Sequence, residues 1–374
     1  MARRILGRAP GIGKRWPHRA LNFLPTRQLW KYLAWKSGAR GAETAFQLGK
    51  ALTDCRRILV LLPDSFQDIL VILPVLQSLV HDIPDLELQL LGEEWDAPFL
   101  AALFGPDRVL AMHGDDLYWG EAHFRDLERA VQGFQPDLSL DFRKSTPPLL
   151  TYLLRSSQAP LRLQVSNGSP SPFTNIQLRP MDPPNALRQA MLAASLWQFS
   201  KTPITCKWSR LKPGPDHLRE AASLLAAKGL RPESTRLFLW QDASSAFQQE
   251  IFQAAVRERS GSGESKSLAI LTATGQSFGG IPPAPEATSA SEVTSASEAT
   301  SASEAVSGVP CLEAESTGLL LGFFAQTARS IGINGPLLHL ASLADTDVEA
   351  HFRAEDSPWD TSFLNPRLKI TYRA

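Results

Sequence analysis

Two junctions hold residues able to do chemistry. In LVLLPDSFQDILVILPVLQSLV (59–80) an apolar run gives way to a helical pattern, and Asp64 and Asp68 stand at the change. A carboxylate at a helix start can take a proton from a substrate hydroxyl, or it can simply complement the helix dipole. Both readings of Asp68 stand at this level. Asp64, between Pro63 and Ser65, reads as a turn residue or a substrate ligand. In SIGINGPLLHLASL, Asn334 and Gly335 precede a second helical pattern containing His339. Backbone amides at such a start favour an anion, although Asn-Gly also suits a plain strand-to-helix turn. His339 either steadies that loop or packs in the core. His113 and His123 lack metal-ligand spacing, and Cys55, Cys206 and Cys311 are odd in number with no CxxC pair, so neither zinc nor a disulfide framework is signalled. No GxGxxG follows any strand pattern, which makes a nucleotide-dependent epimerase or dehydrogenase a distant third reading.

The elements that must carry these residues alternate. RILVLLP, LELQLLG, DRVLAM and PDLSLDF read as strands, with helices over 68–81, 97–104 and 122–133. Helices are expected over 185–200 and 215–229, joined by the Pro-containing KTPITCKWSRLKPG, where a hinge is expected. A second alternation follows: TRLFLWQ, a helix over 247–257, KSLAILTAT, a helix over 317–327, then SIGIN running into 337–343. Short apolar strands separated by helices imply parallel sheets. The expectation is an α/β chain of two Rossmann-like domains: a basic arm over 1–56, one domain over 57–184, interdomain helices over 185–234 and a second domain over 235–374.

Composition narrows the function classes. With 43% hydrophobic and 20% charged residues in 374, the chain is globular and large enough for two domains. Lys plus Arg and Asp plus Glu both number 38, so no global field favours nucleic acid. Residues 1–42 nevertheless carry ten basic residues and no acidic one, leaving 28 basic against 38 acidic in the remainder. Trp16, Phe23, Trp30 and Trp35 lie among those cations, a mixture suited to an anionic membrane surface and equally compatible with a tail packed on its own protein. No apolar run approaches a membrane span or a signal peptide, so a cytoplasmic protein is expected, peripheral on the inner membrane if the arm binds lipid. Between 283 and 309, Glu286, Glu292, Glu298 and Glu304 mark a six-residue repeat of Ala, Ser and Thr, read as a disordered insert without chemistry.

The order of these motifs resembles glycosyltransferase family 9, the heptosyltransferase-like enzymes, over about residues 57–370. Asp68 falls on the family's aspartate and Leu73-Pro74-Val75-Leu76 on its helix signature, while Gln67 replaces the glycine before the aspartate. LFLWQDAS (237–244) sits where the family has a strand ending Pro-Gly-Ala-Ser. His339-Leu340-Ala341 aligns with its His-Leu-Ala.

The resemblance implies the GT-B arrangement, two Rossmann-like domains facing across a cleft. It also implies an inverting transfer of a sugar, heptose among the candidates, from a nucleotide sugar to a lipid-linked or cell-envelope glycan. Asp68 would be the base. Gln241, Asp242, Ser244, Thr274, Asn334, Gly335, Pro336, Leu337 and His339 would bind the donor, with no metal and no cofactor. Several departures cut against this. Aligned on His339 without a gap, Asn334-Gly335-Pro336 stands for the family's Asp-Thr-Gly; a one-residue insertion would instead keep Gly335-Pro336 as its Gly-Pro. Its lysine falls near Ser245, and its Gly-Gly and acidic residue appear as Ala273-Thr274 and Gln276 or Ser277. These losses imply the alternative of a catalytically degenerate fold acting as a binding or assembly module.

Overall fold

A computed structural model describes residues 47–112, 121–143, 146–165, 174–179, 186–204, 210–241, 245–261, 267–273, 309–344, 346–353 and 367–373. The arm up to residue 46 and the repeat over 283–308 lie outside them.

The first half contains α1 (Leu48–Asp54), β1 (Arg57–Leu61), α2 (Phe66–Asp82), β2 (Glu87–Glu93), α3 (Ala97–Phe104), β3 (Val109–Met112), α4 (Ala122–Phe134), β4 (Leu138–Asp141), α5 (Pro148–Ser156), β5 (Leu161–Val165) and β6 (Ile176–Leu178). Two helices follow, α6 (Ala186–Ser195) and α7 (Pro215–Ala227). The second half contains β7 (Thr235–Leu239), α8 (Ala246–Gly261), β8 (Ser267–Ala273), β9 (Cys311–Ala314), α9 (Thr317–Gln326), β10 (Arg329–Ile333), α10 (Pro336–Leu343), β11 (Val348–Arg353) and β12 (Leu368–Arg373).

The halves are topological copies. The first sheet runs β3-β2-β1-β4-β5-β6 and the second β9-β8-β7-β10-β11-β12, with parallel pairing throughout both. Each is the 3-2-1-4-5-6 order of a doubly wound fold, so the strand order reverses between β1 and β4 and again between β7 and β10. The central strands are buried on both faces, as their apolar runs require: Ile58 to Leu61 and Leu237 to Leu239 are all fully enclosed.

The helices join the sheets in a definite way. α2 is buried along most of its length and packs against α6 and, in the other half, α10. Its Pro74 cannot donate to the Leu70 carbonyl, so the helix carries an open backbone acceptor in its middle. α7 packs against α9, where Gly318 and Gly322 lie under His217; a Cβ at either position would collide with it. The chain between α6 and α7 thus passes from contacts with the first half to contacts with the second, and Leu211 bonds to Leu343 O at 2.9 Å on arrival.

Residues 47–56, expected as the end of the arm, belong to the folded body. Leu52 and Cys55 are buried, and Lys201 N–H donates to Thr53 Oγ1 at 3.1 Å. β5, β6, β9 and β12 were not expected from the pattern. In β5, Arg162 and Gln164 interrupt the apolar sequence although both are buried, and in β12 the alternation belongs to an edge strand.

Candidate functional site

Ligands of doubly wound sheets bind beyond the strand C-termini at the point of reversal. In the first half, that point is filled with charge. Arg143, just after β4, is buried, with 5% of its side chain exposed, and reaches three partners. Its Nε donates to Leu62 O at 3.2 Å, one terminal nitrogen pairs with Asp64, and the other pairs with Glu93 Oε1 at 2.8 Å. Asp141, at the end of β4, accepts from the Arg143 N–H at 3.0 Å and from Thr146 Oγ1 at 2.6 Å. Burial pushes its pKa up to about 6. Asp96 is fully enclosed, and neither carboxylate oxygen has a hydrogen-bond partner among the described residues. Burial first, then the charge of Glu93, raises it to about 7.

Asp68 occupies the third position of α2 and is half-buried. The preceding residue, Gln67, crosses to the other half. Its Nε2 lies 3.3 Å from Asn334 Oδ1 and 2.9 Å from His339 Nε2. His339 Nε2 is also 3.2 Å from Asn334 Oδ1, which closes a triangle of three polar side chains. With Gln67 donating to the ring nitrogen, the ring proton sits on Nδ1, which is buried without a partner among the described residues. His339 is fully enclosed, and burial lowers its pKa to about 4, so the ring is neutral near pH 7.

The second reversal point is built from amides. Gln241, after β7, donates from Nε2 to Ile333 O at 2.9 Å and accepts the Leu337 N–H on Oε1 at 2.9 Å. Pro336 is the first residue of α10, so the Leu337 N–H that Gln241 takes is one of the amides with no partner inside the helix. Beside this junction lies a cavity of about 180 Å³ lined by Ser245, Phe247, Ile333, Asn334 and Arg353. The Arg353 guanidinium lies over the Phe247 ring, 5.3 Å from its centroid.

Of the residues proposed from the sequence, Gln241, Asn334, Gly335, Pro336, Leu337 and His339 come together at this junction, and Asp68 lies one residue from the side chain that touches it. Asp242, Ser244 and Thr274 lie outside the described residues. Asp64, read as a turn residue or a substrate ligand, is an ion-pair partner of Arg143. Arg143, Glu93, Asp96 and Arg353 were missed. Arg143 and Arg353 sit at or just past the ends of parallel strands, where position alone could have singled them out. Cys55 is enclosed and its thiol is pushed up to about 12 by burial, so it is no nucleophile. Among the described residues no three His, Cys, Asp or Glu side chains are grouped to hold a metal ion, and no helix is long and apolar enough to cross a membrane.

A family 9 glycosyl transferase from Veillonella parvula DSM 2008 superposes with a TM-score of 0.62 over 87% of this chain and 88% of its own, at 12% identity. The chain has the fold of glycosyltransferase family 9. E. coli ADP-heptose lps heptosyltransferase II matches over 84% of this chain and 90% of its own, with a TM-score of 0.56 and 13% identity. An E. coli heptosyltransferase solved with ADP-2-deoxy-2-fluoro heptose gives 0.55 over 84% and 92%, at 16% identity. No protein-family model matches the chain, and no curated protein sequence does. The family 9 fold, with its two facing Rossmann-like halves, is the architecture expected from the motif order.

Proposed function

We propose that this chain is an inverting glycosyltransferase that moves a sugar from a nucleotide-sugar donor to a lipid-linked or cell-envelope glycan. One observation carries the reading: Asp68 opens α2 beside Gln67, and Gln67 touches the β10–α10 junction of the other half. A carboxylate and an amide-lined helix start therefore border one cleft from two sheets. Asp68 would take the proton of an acceptor hydroxyl as that oxygen bonds to the anomeric carbon and the bond from that carbon to the donor's diphosphate breaks. Amides of α10 and the Arg353 guanidinium would stabilise the departing diphosphate. The neutral His339 would hold Gln67 by accepting its amide N–H rather than carry a proton in the reaction. The scheme calls on no metal. Residues 1–42 would hold the protein at the cytosolic face of an anionic membrane.

A thermal-shift panel of nucleoside diphosphates and nucleotide sugars identifies the donor, since a ligand of the folded state must stabilise it. Transfer of radiolabelled sugar from that donor is then expected to be lost in Asp68→Asn with melting unchanged; full turnover by the variant overturns the base assignment. The second reading, a non-catalytic binding module, is favoured by Gln241, whose carboxamide already takes the Leu337 amide. A folded protein that no nucleotide stabilises at saturating concentration decides for it.

A further inference from the structure

Gln241 is 8% exposed, and its side chain bridges the two loops of the second reversal point, from Ile333 O to Leu337 N–H. Its own N–H is held by Gln248 Oε1 at 3.1 Å, so the backbone beneath the side chain is anchored. Gly335 makes the arrangement possible: a Cβ there would collide with Gln241 Oε1. The carboxamide oxygen therefore sits on a helix-start amide of α10, at the junction where an anionic ligand would be received. The adjoining cavity of about 180 Å³ shares Ile333 and Asn334 with this junction. The bond to Leu337 N–H places the Gln241 carboxamide where a donor's anionic group would meet the helix start.

We propose that Gln241 competes with the donor's diphosphate for the start of α10, so that nucleotide binding requires its carboxamide to swing out of the junction. This rests on the donor-site reading above and adds a gate to it. Swinging out breaks the bonds to Ile333 O and Leu337 N–H, and that cost is subtracted from nucleotide affinity. Removing the side chain removes the competitor.

The test is calorimetric titration of the full chain with ADP, UDP and inorganic pyrophosphate, using wild type, Gln241→Ala and Gln241→Asn. Asparagine keeps the amide but is one methylene too short to bridge Ile333 O and Leu337 N–H together. Both variants are expected to bind a nucleoside diphosphate about tenfold more tightly, equivalent to ~1.4 kcal/mol. A matching gain for pyrophosphate would locate the competition at the diphosphate. Equal or weaker nucleotide binding by both variants overturns the gate and leaves the donor reading intact. No nucleotide binding by any of the three, each folded by circular dichroism, overturns both. Should the alanine variant fail to fold, the asparagine variant decides alone.

Discussion

The two reversal points solve one problem with different chemistry. Each must tie the loop after its first strand to the loop after its fourth. In the first half Arg143 does so with charge, holding Leu62 O and Asp64 on one side while sitting after β4 on the other. In the second half Gln241 does so with a neutral amide between β7 and the β10–α10 loop. A buried cation needs carboxylates, and Glu93 and Asp64 pair with the Arg143 guanidinium. An amide needs only one donor and one acceptor. The first junction is therefore held by ion pairs, and the second by a neutral bridge beside the Arg353 guanidinium.

The largest expected effect follows from removing the charged tie. Arg143→Met leaves Glu93 buried without its cation, and should destabilise the fold by about 3–5 kcal/mol in urea unfolding. A loss no larger than that of Gln241→Ala would mean that the two ties are energetically alike, and the contrast would fail.

A second expectation separates the halves by pH. Asp96, raised to about 7, and Asp141, raised to about 6, hold protons more tightly folded than unfolded. Their contribution to stability is fully present below the ordinary carboxylate range and is lost as pH rises through those values. His339 runs the other way. Lowered from 6.5 to about 4, it contributes stability above the ordinary histidine value that is lost as pH falls through about 4. In melting temperature against pH, Asp96→Asn should flatten the decline towards neutral pH, and His339→Gln should flatten the decline on the acid side. Curves parallel to wild type in either variant would remove that half's assigned sensitivity.

The smallest effect concerns the link between the halves. Gln67→Ala removes a partly exposed carboxamide, so a loss of about 0.5–1.5 kcal/mol is expected at most, read from unfolding midpoints. A larger loss would mean that the halves depend on this triangle more than on the packing of α2 against α10.

Legibility from the sequence followed burial. Strands buried on both faces announce themselves as apolar runs, and RILVL, ELQLLGE, TRLFL and SLAILTA were all readable. β5 was not, because a buried Arg162, whose guanidinium donates to Ala159 O, and a buried Gln164 break the apolar run. The site divided in the same way. Asp68 and the Asn334–His339 stretch were visible because each opens a helix after a strand. Gln67 was visible only as a substitution for glycine, and nothing local signalled that it reaches residues 267 and 272 positions away. Asp96 sits in an unremarkable GEEWDAP, and only its enclosure makes it unusual.

By itself, the order of apolar runs and helical stretches determined that this protein is two alternating α/β halves, because periodicity and burial are written residue by residue. Which polar residues meet was decided by the tertiary structure. Arg143 joins Glu93 and Gln241 joins Leu337 because the 3-2-1-4-5-6 order carries strands distant in sequence to the same edge of each sheet. Gln67 reaches His339 because α2 packs on α10, and the distances over which those side chains bond exist only once both halves have closed.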